Sequence, residues 1–277
     1  MNWKYSITLS SFKDIEPLKT TLKRMTMLGF DAVEMYGEPD SVDVGSIIDL
    51  FHSHNISISG ITGMWGCASK ESSGRKLITR NKSIFFQTQD YIKKCIELCE
   101  KLDGNVFNIC LFSDDSLVKV DKNHARLSES LKRELMSTII DPVRELSLFA
   151  KDRGVDLLIE PLNRYSTPVC TTSADAMYVV KSVAQENVGL LLDTFHMNIE
   201  EDSIEYSIKN TNGLLKHIHL ADNNRKMPGF AHINFQEIVK ALRELEFDRY
   251  ISFEPFVPDA HYENDIRSGI ELIRSLW

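Results

Sequence analysis

Four apolar segments in the second half of the chain end in, or run directly into, a side chain that can bind a metal ion or transfer a proton. DLLIE ends at Glu160, GLLLD ends at Asp193, KHIHL carries His219 near its end, and YISF is followed by Glu254. A charged group that closes an apolar strand costs several kcal/mol if it is buried without a partner. The repetition of this pattern in four consecutive segments therefore predicts one shared site.

Three carboxylates and one imidazole form a ligand set for a divalent cation. Gathered together without a cation, the carboxylates would repel one another, and this repulsion would raise their pKa values. Oxygen ligands with one borderline nitrogen suit Mn²⁺, Mg²⁺ or Co²⁺ better than they suit a structural zinc ion. We expect one divalent ion at this site, with Mn²⁺ favoured, held by Glu160, Asp193, His219 and Glu254.

The segments that must position these residues alternate between short β-branched runs and longer amphipathic ones. The predicted strands are Tyr5–Leu9, Ala32–Tyr36, Ile56–Thr62, Val106–Phe112, Val155–Glu160, Val188–Leu192, Leu215–Leu220 and Tyr250–Phe253. The predicted helices include Ile15–Leu28, Ile84–Leu102, Glu129–Asp152, Ala174–Val183, Phe235–Glu246 and Glu263–Leu276, and Thr172 with Asp175 has the pattern of a helix start. Eight such units predict a single (β/α)8 TIM barrel over residues 1–277, in which functional groups lie at the carboxyl ends of the strands. An open doubly wound sheet is the alternative, although no GxGxxG motif follows any predicted strand.

Composition and charge indicate which classes of binding partner and which cellular compartment to expect. The 277 residues contain 40 acidic and 32 basic side chains, so the formal net charge is −8, which disfavours binding to nucleic acid. None of the five cysteines forms a CxxC pair, and the N-terminal segment lacks the pattern of a secretion signal. No apolar run is long enough to span a bilayer. These features predict a cytoplasmic protein that works without a membrane.

Several strings of the second half resemble a known family. IEPLNRY, LLDTFHMNIEE, HIHLADNNRKMPG and SFEPF are similar to segments of the ketose 3-epimerases, the D-tagatose/D-psicose 3-epimerase type of the xylose isomerase-like barrel superfamily. The resemblance implies metal ligation by the four residues above and contacts of His196 and Arg225 with substrate oxygens near the carbonyl. It also implies a small-molecule sugar substrate and a homo-oligomer, either a dimer or a tetramer.

The resemblance further implies a reaction. The metal would bind O2 and O3 of a ketose and acidify the proton on C3. One of Glu160 and Glu254 would remove that proton to give a cis-enediolate, and the other would return a proton on the opposite face. The expected activity is therefore inversion at C3 by a metal-dependent sugar epimerase.

One position departs from the family pattern. The epimerases usually carry a second glutamate six residues after the first ligand, where it bonds terminal hydroxyls of the substrate, and this chain has Ser166 there. The shorter, neutral side chain argues against free tagatose or psicose as the substrate. It bears less on the type of reaction. A larger, phosphorylated or amine-conjugated ketose remains open.

Other residues admit two interpretations. Trp65 could stack on the apolar face of a sugar or fill the barrel rim, and Glu34 could reach a substrate hydroxyl. His217 shares a strand face with His219, and we expect it to be a hydrogen-bonded interior histidine. The segment Cys67–Lys82 carries Lys70, Arg75, Lys76, Arg80 and Lys82, which indicates a solvated loop or, alternatively, a lid that binds an anionic substrate group.

Four competing functions remain. A sugar or sugar-phosphate isomerase and an inosose-type dehydratase would use a similar ligand set. The superfamily's endonuclease for abasic DNA shares the spacing of Asp193 and His196, but it needs further histidines, and the third and fourth strands here end without one. A sugar-binding barrel without catalysis is the alternative outside the enzymes.

Overall fold

In the computed structural model, eight parallel strands form a barrel with helices around it; the structure describes residues 3–64, 74–114, 117–118 and 127–277. The strands are β1 (Lys4–Ile7), β2 (Ala32–Tyr36), β3 (Ser57–Thr62), β4 (Val106–Cys110), β5 (Asp156–Glu160), β6 (Val188–Asp193), β7 (Leu215–Leu220) and β8 (Tyr250–Phe253). The helices are α1 (Leu18–Met27), α2 (Val44–His54), α3 (Lys82–Lys101), α4 (Glu129–Ser137), α5 (Ile140–Lys151), α6 (Ser173–Val183), α7 (Thr194–Glu200), α8 (Ile204–Lys209), α9 (Phe235–Glu244) and α10 (Glu263–Leu276).

The strand order closes the barrel. Each strand from β2 to β8 pairs in parallel with the next, and β8 pairs with β1. A single bridge between Thr8 and Glu34 joins the remaining edges of β1 and β2. The predicted (β/α)8 barrel is confirmed. Among the described helices, none is both long enough and apolar enough to cross a membrane.

Alternation along the strands separates the outer core from the barrel interior. Outward side chains such as Phe107 and Ile159 join the large apolar core that lies between the sheet and the helices. Inward, Val106, Leu158 and Leu191 form a small separate apolar cluster. Two residues farther along those three strands, the inward positions become polar: Asn108, Glu160 and Asp193. The apolar layer therefore supports a polar layer at the carboxyl ends of the strands, where functional groups of this fold lie.

The predicted helix Glu129–Asp152 is wrong as one continuous element. The structure has two helices there, α4 and α5, because Pro142 lies in the first turn of α5. Proline lacks an N–H group, and its ring would clash with the carbonyl of Thr138 four residues earlier. Helix α2 and the short helices α7 and α8 were not among the predicted elements.

The predicted start of α6 is confirmed. The Thr172 side chain accepts a hydrogen bond from the Asp175 N–H at 3.2 Å, and the Asp175 carboxylate accepts one from the Thr172 N–H at 3.1 Å. This reciprocal pair satisfies N–H groups that the first helical turn leaves without partners. It also fixes where the chain leaves the loop after β5, which carries part of the candidate site.

Candidate metal centre and active site

The structure brings the four predicted ligands together at one end of the barrel. One ligand atom from each of Glu160, Asp193, His219 and Glu254 lies within 4.8 Å of the corresponding atoms of the other three. Glu160, Asp193 and His219 are buried, whereas the side chain of Glu254 is 17% exposed. They come from consecutive strands whose carboxyl ends converge, so the barrel geometry itself assembles the cluster.

The two nitrogens of His219 have different surroundings. Nε2 hydrogen bonds to Oε2 of Glu34 at 2.9 Å. Nδ1 is buried 2.8 Å from Oε2 of Glu254, but it makes no hydrogen bond with any described group. When Nε2 carries the ring proton, the lone pair of Nδ1 points toward the carboxylates, and a cation between them would satisfy both. This buried nitrogen fits a metal site made of the three carboxylates and one imidazole.

The electrostatics of the cluster favour bound positive charge, either protons or a cation. Burial raises the pKa of Glu160 to about 8, and the neighbouring Glu254 and Asp193 carboxylates add to the increase. Burial alone would lower the pKa of His219, but Glu34 and Glu254 hold it well above its usual value. Without a cation the site therefore retains protons, and a divalent cation would displace them.

Arg225 neutralises two of the predicted ligands from the loop after β7. Its Nη1 lies 2.5 Å from Asp193 Oδ2, and its Nη2 lies 2.6 Å from Glu254 Oε2. Burial opposes ionisation of Glu254, yet the guanidinium and His219 hold the pKa of that carboxyl below its usual range. Arg225 has a positive φ of 60°, an unusual backbone conformation for a non-glycine residue and one that occurs at functional sites.

Asp222 organises that loop and was not predicted from the sequence. Its buried carboxylate accepts five backbone hydrogen bonds, from the N–H groups of residues Asn223, Gly229, Ala231, His232 and Ile233. The Asp222 carbonyl also accepts a hydrogen bond from the Arg225 N–H at 2.8 Å. The sequence signal was present, because Asp222 follows β7 by two residues, as an acid at a strand end.

Asn108 on β4 is a second residue that the sequence analysis missed. Its Nδ2 donates to Oε2 of Glu160 at 2.5 Å, while its Oδ1 accepts a hydrogen bond from the Gly63 N–H. A Cβ at position 63 would collide with the Phe107 ring and with the Asn108 carbonyl, so only glycine permits this approach. Asn108 therefore restrains one oxygen of Glu160 from the neighbouring strand.

A cavity of about 230 Å³ opens onto the cluster. It is lined by Glu160, Asn163, Ser166, Phe195, His196, Arg225 and Glu254. His196 and Arg225, which were predicted to contact substrate, thus face the same space as two of the predicted ligands, and so does Ser166. The volume lies below the roughly 300–1,000 Å³ of pockets for drug-sized ligands, and this suits a small polar molecule.

Glu34, which was expected to reach a substrate hydroxyl, lies inside the barrel beside two histidines. It is 2% exposed, and its oxygens lie 2.6 Å from His217 Nε2 and 2.9 Å from His219 Nε2. Ser252 donates a further hydrogen bond to it at 3.2 Å. Glu34 is therefore a partner of two histidines inside the barrel, and it does not belong to the described lining of the cavity. His217 is buried, as expected, but its Nε2 makes no hydrogen bond of acceptable geometry with a described group, although it lies 2.6 Å from Glu34 Oε1.

The cationic segment contains one residue that contradicts a solvated loop. Arg75 is buried, with Nη2 at 2.8 Å from Glu38 Oε2 and its guanidinium 3.8 Å from the centre of the Tyr91 ring. The Glu38 carboxylate compensates the charge of Arg75, and the guanidinium packs on the Tyr91 ring. Trp65 and Lys70 lie outside the described residues, and the predictions for them stay predictions.

Comparison with known proteins agrees with this architecture. The chain matches the xylose isomerase-like TIM-barrel family over residues 22–276. It is 30% identical to a D-psicose 3-epimerase of Ruminiclostridium cellulolyticum over 246 residues, which make up 86% of this chain and 78% of that protein. It is 41% identical to a D-psicose 3-epimerase of Agrobacterium fabrum over 137 residues, so that alignment spans 50% of this chain and only 46% of that relative.

A solved structure extends the comparison to the fold. The D-psicose 3-epimerase of Clostridium cellulolyticum H10, crystallised with D-tagatose, superposes with a TM-score of 0.81. The match covers 99% of both chains at 22% sequence identity, a level that supports the shared fold. The resemblance inferred from the strings after the fifth to eighth strands is thus confirmed. The protein belongs to the xylose isomerase-like TIM-barrel family.

Proposed function

We propose that this protein is a divalent-metal-dependent carbohydrate epimerase that inverts C3 of a ketose or a ketose derivative. The observation that carries the proposal is the convergence of Glu160 and Glu254 on one cavity, with Asp193 and His219 within 4.8 Å. The relatives are epimerases of ketoses, and their names support the same class of substrate.

The proton on C3 of a ketose lies next to a carbonyl group, and its removal leaves negative charge on the substrate oxygens. A divalent ion at this site would supply Lewis acidity toward those oxygens. Asp193 and His219 would hold the ion, and the two glutamates would complete its ligand set. Asn108 and Glu34 would maintain the orientation of Glu160 and His219 respectively.

Inversion needs two proton-transfer groups on opposite faces of the same carbon. Glu160 ends β5 and Glu254 follows β8, with β6 and β7 between them. Side chains from nonadjacent strands can approach a substrate in the cavity from two sides, and one carboxyl group can accept the proton while the other donates one. Asn108 binds only one oxygen of Glu160 in hydrogen-bond geometry, which leaves the second oxygen for this role.

His196 and Arg225 would bind the substrate oxygens on which negative charge develops. His196 is 7% exposed and lines the cavity beside Phe195. Arg225 holds a full positive charge, since the Asp193 and Glu254 carboxylates raise its pKa further despite burial. Donors fixed in advance around a developing anion are a large contribution to catalysis, because they need no reorganisation during the reaction.

Ser166 bears on which ketose fits. It lines the cavity at the position where similar epimerases carry a glutamate for terminal hydroxyls. A neutral hydroxyl group leaves more room and removes a negative charge that would repel an anionic substituent. We therefore include phosphorylated and otherwise substituted ketoses among the candidate substrates.

The decisive experiment is incubation of the purified, Mn²⁺-loaded protein with a panel of ketoses in D₂O. Deuterium at C3 with inversion would support the proposal. Deuterium at C1 with formation of an aldose would assign an isomerase, and loss of water would assign a dehydratase. Incision of an abasic duplex, assayed separately, would assign a nuclease. The absence of exchange with every free, phosphorylated and conjugated ketose tested would refute the proposal.

Two finer points can be measured on the same preparation. We propose Mn²⁺ as the native ion, and titration of metal-free protein with Mn²⁺, Mg²⁺ and Co²⁺ will rank their affinities and the activities that they support. We also propose a dimer or a tetramer, as the family resemblance implies. Sedimentation equilibrium would contradict this if the chain remained a monomer at micromolar concentration.

A further inference from the structure

Asn163, in the loop after β5, contacts a single nitrogen of His196 with two N–H groups. Its backbone N–H donates to Nδ1 at 3.2 Å, and its side-chain Nδ2 lies 2.7 Å from the same nitrogen. Both residues are buried, with 4% of Asn163 and 7% of His196 exposed. No hydrogen bond of His196 Nε2 is found among the described residues, and the ring lines the same cavity as Glu160 and Glu254.

The orientation of the Asn163 amide follows from a third hydrogen bond. Its Oδ1 accepts from the Tyr165 N–H at 3.0 Å, and a backbone N–H can only donate. Exchange of the amide oxygen and nitrogen would place an NH₂ group against that N–H, so Nδ2 must face His196. The amide is therefore fixed as a donor toward the imidazole.

These contacts determine where the imidazole carries its proton. The backbone N–H of Asn163 donates to Nδ1 over the longer distance of 3.2 Å, and the amide NH₂ is the closer donor at 2.7 Å. Nδ1 must then be the acceptor nitrogen, and a neutral ring carries its proton on Nε2. Burial also lowers the pKa of His196, in agreement with a neutral ring.

We propose that Asn163 is a positioning residue that holds His196 as the neutral tautomer with its proton on Nε2, so that the ring presents a hydrogen-bond donor to the ligand in the cavity. The nature of that ligand, a sugar oxygen that becomes anionic, rests on the proposed function. The tautomer does not rest on it. With Nδ1 occupied, His196 serves as a donor to substrate oxygen, and the two glutamates keep the proton transfers at carbon.

The tautomer can be measured directly by two-bond ¹H–¹⁵N correlation spectra of ¹⁵N-histidine-labelled protein, metal-free or loaded with diamagnetic Mg²⁺. Signals of His196 are assigned by their loss in H196Q. The expected spectrum has Nε2 protonated and Nδ1 unprotonated near neutral pH. A proton on Nδ1, or a charged ring at that pH, overturns the proposal without any assay of activity.

The variant N163D isolates the side-chain donor. Aspartate keeps an oxygen that can accept the Tyr165 N–H, but it replaces the NH₂ group with an acceptor for an Nδ1 proton. We expect the proton of His196 to shift to Nδ1, or the ring to become charged. The matched control is N81D, because Asn81 makes a similar contact at the exposed start of α3, where its Oδ1 accepts from the Ser83 N–H at 3.0 Å. This control should leave the His196 signals unchanged.

Kinetics then separate this inference from the proposed function. For the substrate found in D₂O, kcat of N163D should fall by about 10²-fold with KM changed much less, as for loss of one donor to an anionic oxygen. An unchanged tautomer in N163D, or unchanged kcat with a shifted tautomer, contradicts the role of Asn163. If the wild-type protein shows the expected tautomer but exchanges no ketose, the proposed function fails and the assignment of the proton stands.

Discussion

Oε2 of Glu34 lies 2.9 Å from Nε2 of His219, so the histidine among the four predicted ligands is oriented by a carboxylate from the second strand. The other oxygen of Glu34 lies 2.6 Å from His217 Nε2. A carboxylate that accepts the Nε2 proton fixes the ring and increases the basicity of Nδ1 toward a metal ion. Glu34 therefore links the barrel interior to the candidate metal centre.

Substitution of Glu34 should weaken metal binding although all four predicted metal ligands stay unchanged. Glutamine at this position keeps the size of the side chain but places an NH₂ group against one of the two histidines. We expect E34Q to lose about 10–100-fold in affinity for Mn²⁺, measured by calorimetric titration of metal-free protein. The control is E271Q, since Glu271 is exposed on α10 and belongs neither to the four predicted ligands nor to the described cavity lining. Equal affinities in E34Q and the wild-type protein would contradict the proposed linkage.

The two glutamates should be distinguishable by isotope exchange. Removal of one carboxyl group should lower the rate of epimerisation by about 10²–10⁴-fold, the usual contribution of a positioned acid or base. The remaining carboxylate can still remove a proton from one epimer and return deuterium to the same face. E254Q and E160Q should therefore each label one epimer at C3 in D₂O without inversion, and they should label opposite epimers.

Metal binding must be measured in both variants, because both residues are also predicted ligands. Calorimetric titration will show the Mn²⁺ concentration that saturates each variant, and exchange is then compared at saturation. Retention of full epimerisation by E254Q would refute the two-base mechanism.

Ser166 should set the preference for substrate. Glutamate at this position would restore a charged acceptor for terminal hydroxyls, and a hydrogen bond to a charged group contributes about 1.5–3 kcal/mol. We expect S166E to increase kcat/KM for free D-psicose by about 10–100-fold and to decrease it for a phosphorylated ketose. S166A serves as the control for loss of the hydroxyl group. If S166E leaves the ratio of the two substrates unchanged, Ser166 does not face the variable end of the sugar.

The described cysteines should be unreactive in the folded protein. Cys95, Cys99, Cys110 and Cys170 are buried, and burial raises the pKa of the Cys95 thiol from 9.0 to about 12. At pH 8 its thiolate fraction is then roughly a thousandfold lower than that of an ordinary cysteine. Mass spectrometry should find Cys95 alkylated by iodoacetamide in guanidinium chloride and unmodified under native conditions. Rapid native alkylation of Cys95 would contradict the packing of α3.

The same shift has a consequence for stability. Between pH 9 and about pH 12 the unfolded chain releases the Cys95 proton while the folded chain keeps it. Because the folded state binds more protons over this range, the free energy of unfolding falls as the pH rises. Below pH 9 both states keep the proton, and this contribution is constant.

The sequence was informative where a local pattern predicts which residues come together in the folded protein. Glu160 and Asp193 end apolar runs, and in parallel strands such ends converge on the same rim. The order of eight alternating units was enough to predict the barrel, and the four strings between Glu160 and Phe256 were together enough to predict the family. The first turn of α6 could also be read locally, from Thr172 and Asp175, since a helix cap involves only neighbouring residues.

The roles of Glu34, Asn108 and Asn163 depended on the tertiary structure. Each lies on a different segment from its partner, at separations of 185, 52 and 33 residues from His219, Glu160 and His196 respectively. The sequence contains these polar residues, but strand register and barrel closure decide which atoms come within 3 Å. The sequence alone was therefore sufficient to predict the barrel and the four candidate metal ligands. Only the fold decided which nitrogen of each imidazole is occupied, because hydrogen-bond geometry is set by packing across the whole barrel.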